Sequence, residues 1–370
     1  MITNYPEKAS LKEVLSSSLS ITALKTICKN NGVFILSSDK DIVIRDAHLF
    51  YWGFNDINCI SNYMEDEKNY KKSFRLKLLF DSSNIEADTE ENTEIDAFDE
   101  FYSKLSTYRN TMASLENIRF ESFNIVLNGD EKTLIGEISY KKRKPGKVEL
   151  LSETTQKFSF QAKKALDTEI DIDFIFNDRG DIAIAKKIIN TAIATSDNFG
   201  TPTQISLKGL AVPERVELFD RFFTYTFQDW RIDSIQNIKI SDTEEILDEG
   251  EDEELEGSIL NGIKSALLSG TGLRSNPIVI QAVDRGYFFP KATIMFEHRR
   301  EAQKILVDIT FNSDDLLLEI VMVATYEIED GRPYKHPMFV DGQKIILEEF
   351  QDIIQEIYNQ IRVERTVEAG

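Results

Sequence analysis

Five cations fall within seven residues at Lys141, Lys142, Arg143, Lys144 and Lys147, around the turn Pro145-Gly146. Carried on a hairpin tip, they make an anion-seeking element suited to phosphate backbones or to an acidic protein surface. Tyr140 beside them is placed to stack on a base. The plainer reading is a lysine-rich hairpin that keeps a strand edge soluble, and a third is pairing with the chain's own acid runs. Arg299 and Arg300 form a weaker basic turn after His298. A second chemistry is offered by Asp171 and Asp173, which share one face of a strand and could ligate magnesium in a carboxylate-dependent hydrolase or nuclease. Alternation alone also places such a pair on a wetted sheet face.

Other reactive patterns are missing or misplaced. His48, His298 and His336 stand far apart, Cys28 and Cys59 form no CxxC pair, and HExxH is absent, so zinc of ordinary spacing is not expected. Asp130-Glu131-Lys132 has the letters of a nuclease triplet but lies in the Asn128-Gly129 turn, which cannot fix those groups as a strand does. Ser269-Gly270-Thr271-Gly272 follows an expected helix rather than a strand and lacks the third glycine of a dinucleotide fingerprint. No GxxxxGK[ST] or GxSxG occurs. Cys28, on a helix with Ile21, Leu24 and Ile27, reads as a buried structural thiol. No cofactor is expected.

The elements that must position these residues are punctuated by charge. The chain has 370 residues and a formal net charge of −21, with 41% hydrophobic and 29% charged residues, which excludes full disorder and fibrous repeats. Residues 81–100 hold nine acids and residues 242–256 hold ten, neither with a Lys or Arg, so nineteen of the twenty-one excess negatives sit in two runs. Such runs repel themselves and bury little, so they read as acidic linkers. They divide the chain into a helical region at 1–80, an α+β domain with an antiparallel sheet at 101–241, and a C-terminal α+β domain at 257–370. The fold class expected is α+β: a helical N-terminal region followed by two antiparallel-sheet-plus-helix units.

Within these segments Ser20 is placed to cap a helix over Ile21–Asn31 ending at Gly32, and a second helix runs from about Lys40 to Phe50. A helix over 95–116 carries Ile95, Phe98, Tyr102, Leu105, Tyr108, Met112 and Leu115 at helical steps. Strand patterns follow over 117–177, clearest at 169–176, where Ile170, Ile172, Phe174 and Phe176 alternate with Glu169, Asp171 and Asp173. Helices are expected near 182–195, at 213–225 behind Pro213, and near 255–268. Strands are expected near 290–298, 304–311 and 316–327. A closing helix buries Ile346, Phe350, Ile353, Ile354, Ile357 and Ile361, with Asp341 as its cap.

Residues 20–49, SITALKTICKNNGVFILSSDKDIVIRDAHL, carry Leu24, Ile27, Gly32 and Val33, then Lys40, Val43 and Arg45. In these positions the stretch resembles the SAP helix–loop–helix module of DNA-associated proteins. The resemblance implies that Lys40 and Arg45 face phosphates.

No stretch reaches the roughly 18 uninterrupted apolar residues of a membrane span, and the first residues do not read as a secretory signal. With two cysteines the chain is expected in a reducing, cytoplasmic setting. The leading expectation is a non-enzymatic binding or accessory protein acting through protein–protein contacts, with no membrane partner. The alternative is a nucleic-acid-binding protein that uses the 141–147 hairpin and the 20–49 helices. The third is the carboxylate-dependent metal hydrolase.

Overall fold

The computed structural model describes residues 11–12, 15–16, 21–37, 39–50, 52–53, 55–56, 71–81, 96–129, 131–143, 153–241, 265–269, 276–312, 315–329, 331–335, 338 and 340–368. The chain divides into two compact units. One comprises Met1–Asn69, Arg109–Glu121 and Glu137–Phe158; the other comprises Tyr70–Tyr108, Ser122–Gly136 and Ser159–Gly370.

In the first unit, α1 (Ile21–Asn30) and α2 (Lys40–Ala47) bring Leu24, Ile27 and Cys28 against Val43, Ile44 and Ala47. Trp52 closes this small core, its indole N–H donating to the carbonyl of Ala47 at 3.0 Å. Gly32 ends the α1 segment at φ +77°, a conformation that glycine adopts without strain. Asp39 caps α2, its carboxylate accepting from the amide of Asp41 at 2.9 Å. Ser20 lies outside the described residues.

The larger unit shows that residues 1–80 are not helical throughout. Lys72–Leu79 is strand β1, with Phe74, Leu76 and Leu78 buried at alternate positions. After it come α3 (Ala97–Thr111), β2 (Ile118–Asn128), β3 (Glu131–Arg143), β4 (Glu153–Leu166), β5 (Glu169–Phe176), α4 (Gly180–Ile193) and α5 (Val212–Thr224). The rest is β6 (Trp230–Ser241), β7 (Ser265–Ser269), α6 (Pro277–Asp284), β8 (Phe288–His298), β9 (Gln303–Asn312), β10 (Leu317–Glu329), β11 (Arg332–Lys335) and α7 (Val340–Glu368). The expected helix near 255–268 is strand where it is described, since β7 pairs with β6 over Ser265–Ser269. Asp341 sits inside the first turn of α7 rather than ahead of it.

Strand order is β2-β3-β4-β5-β1-β10-β9-β8-β6-β7, with β11 added to β10. The two separate sheets expected from the sequence are therefore one, and the fold is α+β around a single large antiparallel sheet. Three pairings make the join: β1 bonds β5 along its length and β10 at Lys72 and Ser73, and β6 bonds β8.

One face of the sheet near β1 is aromatic. Phe74 stacks on Phe174 with ring centroids 4.8 Å apart, Phe160 and Phe123 extend the chain of rings, and Phe123 stacks on Tyr102 of α3 at 5.4 Å. Over the other face lies α7, which packs on β1, β10 and α5. Its Leu347, Phe350, Ile354 and Ile357 join Phe219 and Phe222 of α5 and Phe296, Val307 and Ile320 of the sheet in the main core. The face of β5 expected to be wet is thus covered, and β5 is buried from Ile170 to Phe176.

Gly136 in β3 has no room for a side chain: a Cβ there would fall 2.3 Å from the ring of Phe160 and 3.1 Å from the carbonyl of Ser122. Phe160 is itself 1% exposed and cannot swing aside. Gly136→Ala is expected to destabilise the protein by about 1–3 kcal/mol, read as a lower urea midpoint with an unchanged m-value.

Candidate functional site

Alternation along β1 sends Ser73, Arg75 and Lys77 to the face opposite Phe74, Leu76 and Leu78. Register then sets Arg75 directly across from Asp173, and Lys77 across from Asp171. Arg75 is 3% exposed, and its guanidinium grips Asp173 through Nε at 2.6 Å and Nη2 at 2.8 Å. Its Nη2 also reaches Asp352 of α7 at 2.5 Å, while Nη1 lies 3.7 Å from Asp171. Lys163 of β4 holds Asp352 from the other side at 3.1 Å. Burial alone would loosen the guanidinium proton, but Asp173, Asp352 and Asp171 outweigh it and raise its pKa.

Asp171, Asp173, Asp352 and Glu348 are faced by Arg75, Lys163, Lys77 and Lys344. Asp171 Oδ1, Glu348 Oε1 and Gln351 Oε1 are all buried without a hydrogen-bond partner. Burial pushes the carboxyls of Asp171 and Glu348 above the usual carboxylate range, and the attraction of Arg75 and of Lys344 respectively does not cancel it.

Above the cluster, α7 presents Ile345, Glu348, Glu349, Asp352, Ile353 and Glu356 along one side at steps of three and four residues. With Tyr225, Thr226, Phe227 and Gln228 from the loop after α5, and with Arg299, they line a cleft of about 720 Å³. Arg299 braces the far wall, its Nε donating to the carbonyls of Phe227 at 3.2 Å and Trp230 at 3.0 Å. Glu349 is half-buried, and burial followed by the charges of Asp229 and Asp352 raises its pKa. Ile345 stands 66% exposed at the cleft. The site therefore combines four carboxylates with an apolar and aromatic wall.

The residues singled out by sequence are distributed differently. Asp171 and Asp173 do share a face, but it is buried under α7, and a guanidinium stands where a magnesium ion would have to sit. Among the described residues no group of three or more His, Cys, Asp or Glu side chains is arranged to hold a metal. Tyr140 is 8% exposed with its ring against Phe158 at 6.3 Å, so it is packed into its own unit rather than presented to a base. Lys141 is exposed and Lys142 half-buried near the end of β3, which Arg143 closes; Lys144 and Lys147 lie outside the described residues, as does the Pro145-Gly146 turn. Lys40 opens α2, and Arg45 donates to its neighbour Asp46 at 3.0 Å on the surface. Cys28 is buried, and burial raises its thiol pKa. His298 accepts at Nδ1 from the amides of Arg300 and Glu301, so the basic turn is a tied structural corner.

Lys132 of the Asp130-Glu131-Lys132 triplet bonds Asp99 at 2.7 Å, and Asp130 lies outside the described residues. Ser269 ends a strand, not a helix, and Gly270, Thr271 and Gly272 are likewise outside them, as are Cys59, His336, residues 82–95 and the whole 242–256 run. Sequence reading passed over Arg75 and the acids of α7. The signals were there: a lone arginine inside the alternation SFRLKLLF, and Glu348, Glu349, Asp352 and Glu356 at helical spacing beside an off-stripe Ile345.

No protein-family model matches the chain, and no curated protein matches it. Among solved structures it is similar to the di-domain ARO/CYC BexL from the BE-7585A biosynthetic pathway, at 8% identity over 78% of this chain and 97% of that one, with a TM-score of 0.15. A likeness at that score carries no argument about this chain. No helix among the described residues is long and apolar enough to cross a membrane.

Arg75→Met leaves Asp173 and Asp171 buried without their counter-charge and is expected to cost about 3–5 kcal/mol in urea unfolding. Adding Asp171→Asn and Asp173→Asn is expected to restore part of that loss. A carboxyl whose folded pKa lies above its unfolded value contributes most at acid pH, and that contribution fades as pH climbs through the raised value. Glu348→Gln removes the ionisation, so it is expected to raise the melting temperature at pH 7.5, with the gain shrinking toward pH 4.

Proposed function

We propose that this chain is a non-enzymatic binding protein whose acidic cleft along α7 takes a Lys- or Arg-bearing segment of a protein partner. The observation that carries this reading is the convergence of Glu348, Glu349, Asp352 and Glu356 on one apolar-walled cleft. Of these, Asp352 is already held by Arg75 and Lys163, which leaves Glu348, Glu349 and Glu356 as the groups with capacity for an incoming cation. Tyr225, Phe227 and Ile345 supply the surface against which the methylene stem of such a side chain lies.

A cation entering the cleft favours the ionised form of Glu348 and Glu349, so binding releases protons, and affinity rises as pH climbs from about 4 to about 7. Salt weakens the attraction at the exposed rim, where Glu356 lies, more than in the half-buried floor. Phosphate backbones are repelled by the same cleft. Within this reading any nucleic-acid binding is left to Lys40, Arg45 and the 141–147 hairpin.

Fluorescence anisotropy with a labelled Lys/Arg-rich heptapeptide tests this. Wild-type protein is expected to bind it more weakly as salt rises, with proton release detectable by calorimetry in buffers of different ionisation enthalpy. Glu349→Gln combined with Glu356→Gln is expected to weaken binding about tenfold. Absence of binding at low salt, or binding untouched by the double change, would sink the reading.

A further inference from the structure

We propose that two copies of this chain join edge to edge through β2, antiparallel about Ile125, so that the sheet of one copy continues into the other. β2 ends the strand order, with β3 on one side and no further strand on the other among the described residues. The part of β2 in the larger unit is Ser122–Asn128, and Ile125, Val126 and Leu127 are 39%, 46% and 68% exposed. A free edge offers a row of N–H and C=O groups to any extended chain, and proteins ordinarily guard it with charge, proline, a bulge or brevity. Residues 122–129 read SFNIVLNG, with no charged residue and no proline.

The run is self-complementary, which selects a second copy over an unrelated strand. A two-fold axis at Ile125 sets that residue opposite itself, Phe123 opposite Leu127, Asn124 opposite Val126 and Ser122 opposite Asn128. Odd-numbered positions share one face, so apolar side chains meet apolar side chains there. Such a pairing is closed and isologous, and it ends at two chains. Net charge of −21 opposes the meeting of two copies, and the uncharged strip is where that repulsion is least.

Sedimentation of the full chain tests this. At about 100 μM the wild type is expected at twice its 42.4 kDa, dissociating on dilution. Val126→Lys with Leu127→Lys, both at exposed positions, is expected to give the single-chain mass at the same concentration, with the unfolding midpoint of wild type diluted to single chains. Ile125→Cys is expected to form a covalent dimer on oxidation, because directly opposed residues of an antiparallel pair lie about 4.5–5.5 Å apart at Cβ; Ala183→Cys, exposed on α4, is the control. A wild type that stays at 42.4 kDa throughout overturns the proposal. So does a dimer indifferent to the two lysines, or cross-linking at position 125 no greater than at 183.

Discussion

A guanidinium sealed beneath a helix organises the larger unit. Arg75 is placed by strand alternation, matched by register to Asp173, and roofed by Asp352 from the closing helix. A charge in that position is tolerable only while its partners are fixed, because an unpaired ion in a low-dielectric interior costs several kcal/mol. The strand, its neighbour and the helix above are therefore committed to one mutual arrangement. The bidentate fork fixes β1 against β5, and the contact from Nη2 to Asp352 ties α7 to that pair.

The surface cleft inherits its character from that buried group. Asp352 faces both ways, bonded to Arg75 below and open to the cleft above with a side chain 52% exposed. Burial presses the half-buried Glu348 and Glu349 toward neutrality, and neighbouring carboxylates, Asp352 among them, add to it. The cleft thus sets these carboxylates beside Tyr225, Phe227 and Ile345.

Much of this fold was legible in the sequence where local signals are strong. The 3.6-residue stripe of the closing helix, Pro213 at the start of α5, the Asn128-Gly129 turn and the strands around 288–329 all reflect local rules. Failures came where tertiary structure overrides them. β1 is eight residues lying among helical signals, and Trp230–Ser241 carries polar residues that give no clean period, yet both are strands because neighbours complete them. Asp171 and Asp173 obey alternation perfectly and still mislead, since alternation distinguishes two faces without saying what covers each. Only the long-range placement of α7 decides that, and it is invisible to any window of a dozen residues.

β1 also fixes the timing of assembly. It is the first strand among the described residues, yet its two neighbours are β5, about a hundred residues later, and β10, some two hundred and fifty later. During synthesis the segment Phe74–Leu78 must therefore wait for β5, and its Lys72–Ser73 end must wait longer for β10. The roof over Arg75 arrives later still, with α7, which follows every described strand. A chain arrested before α7 would hold the ionic seam open to water, a form that quality-control machinery is equipped to recognise.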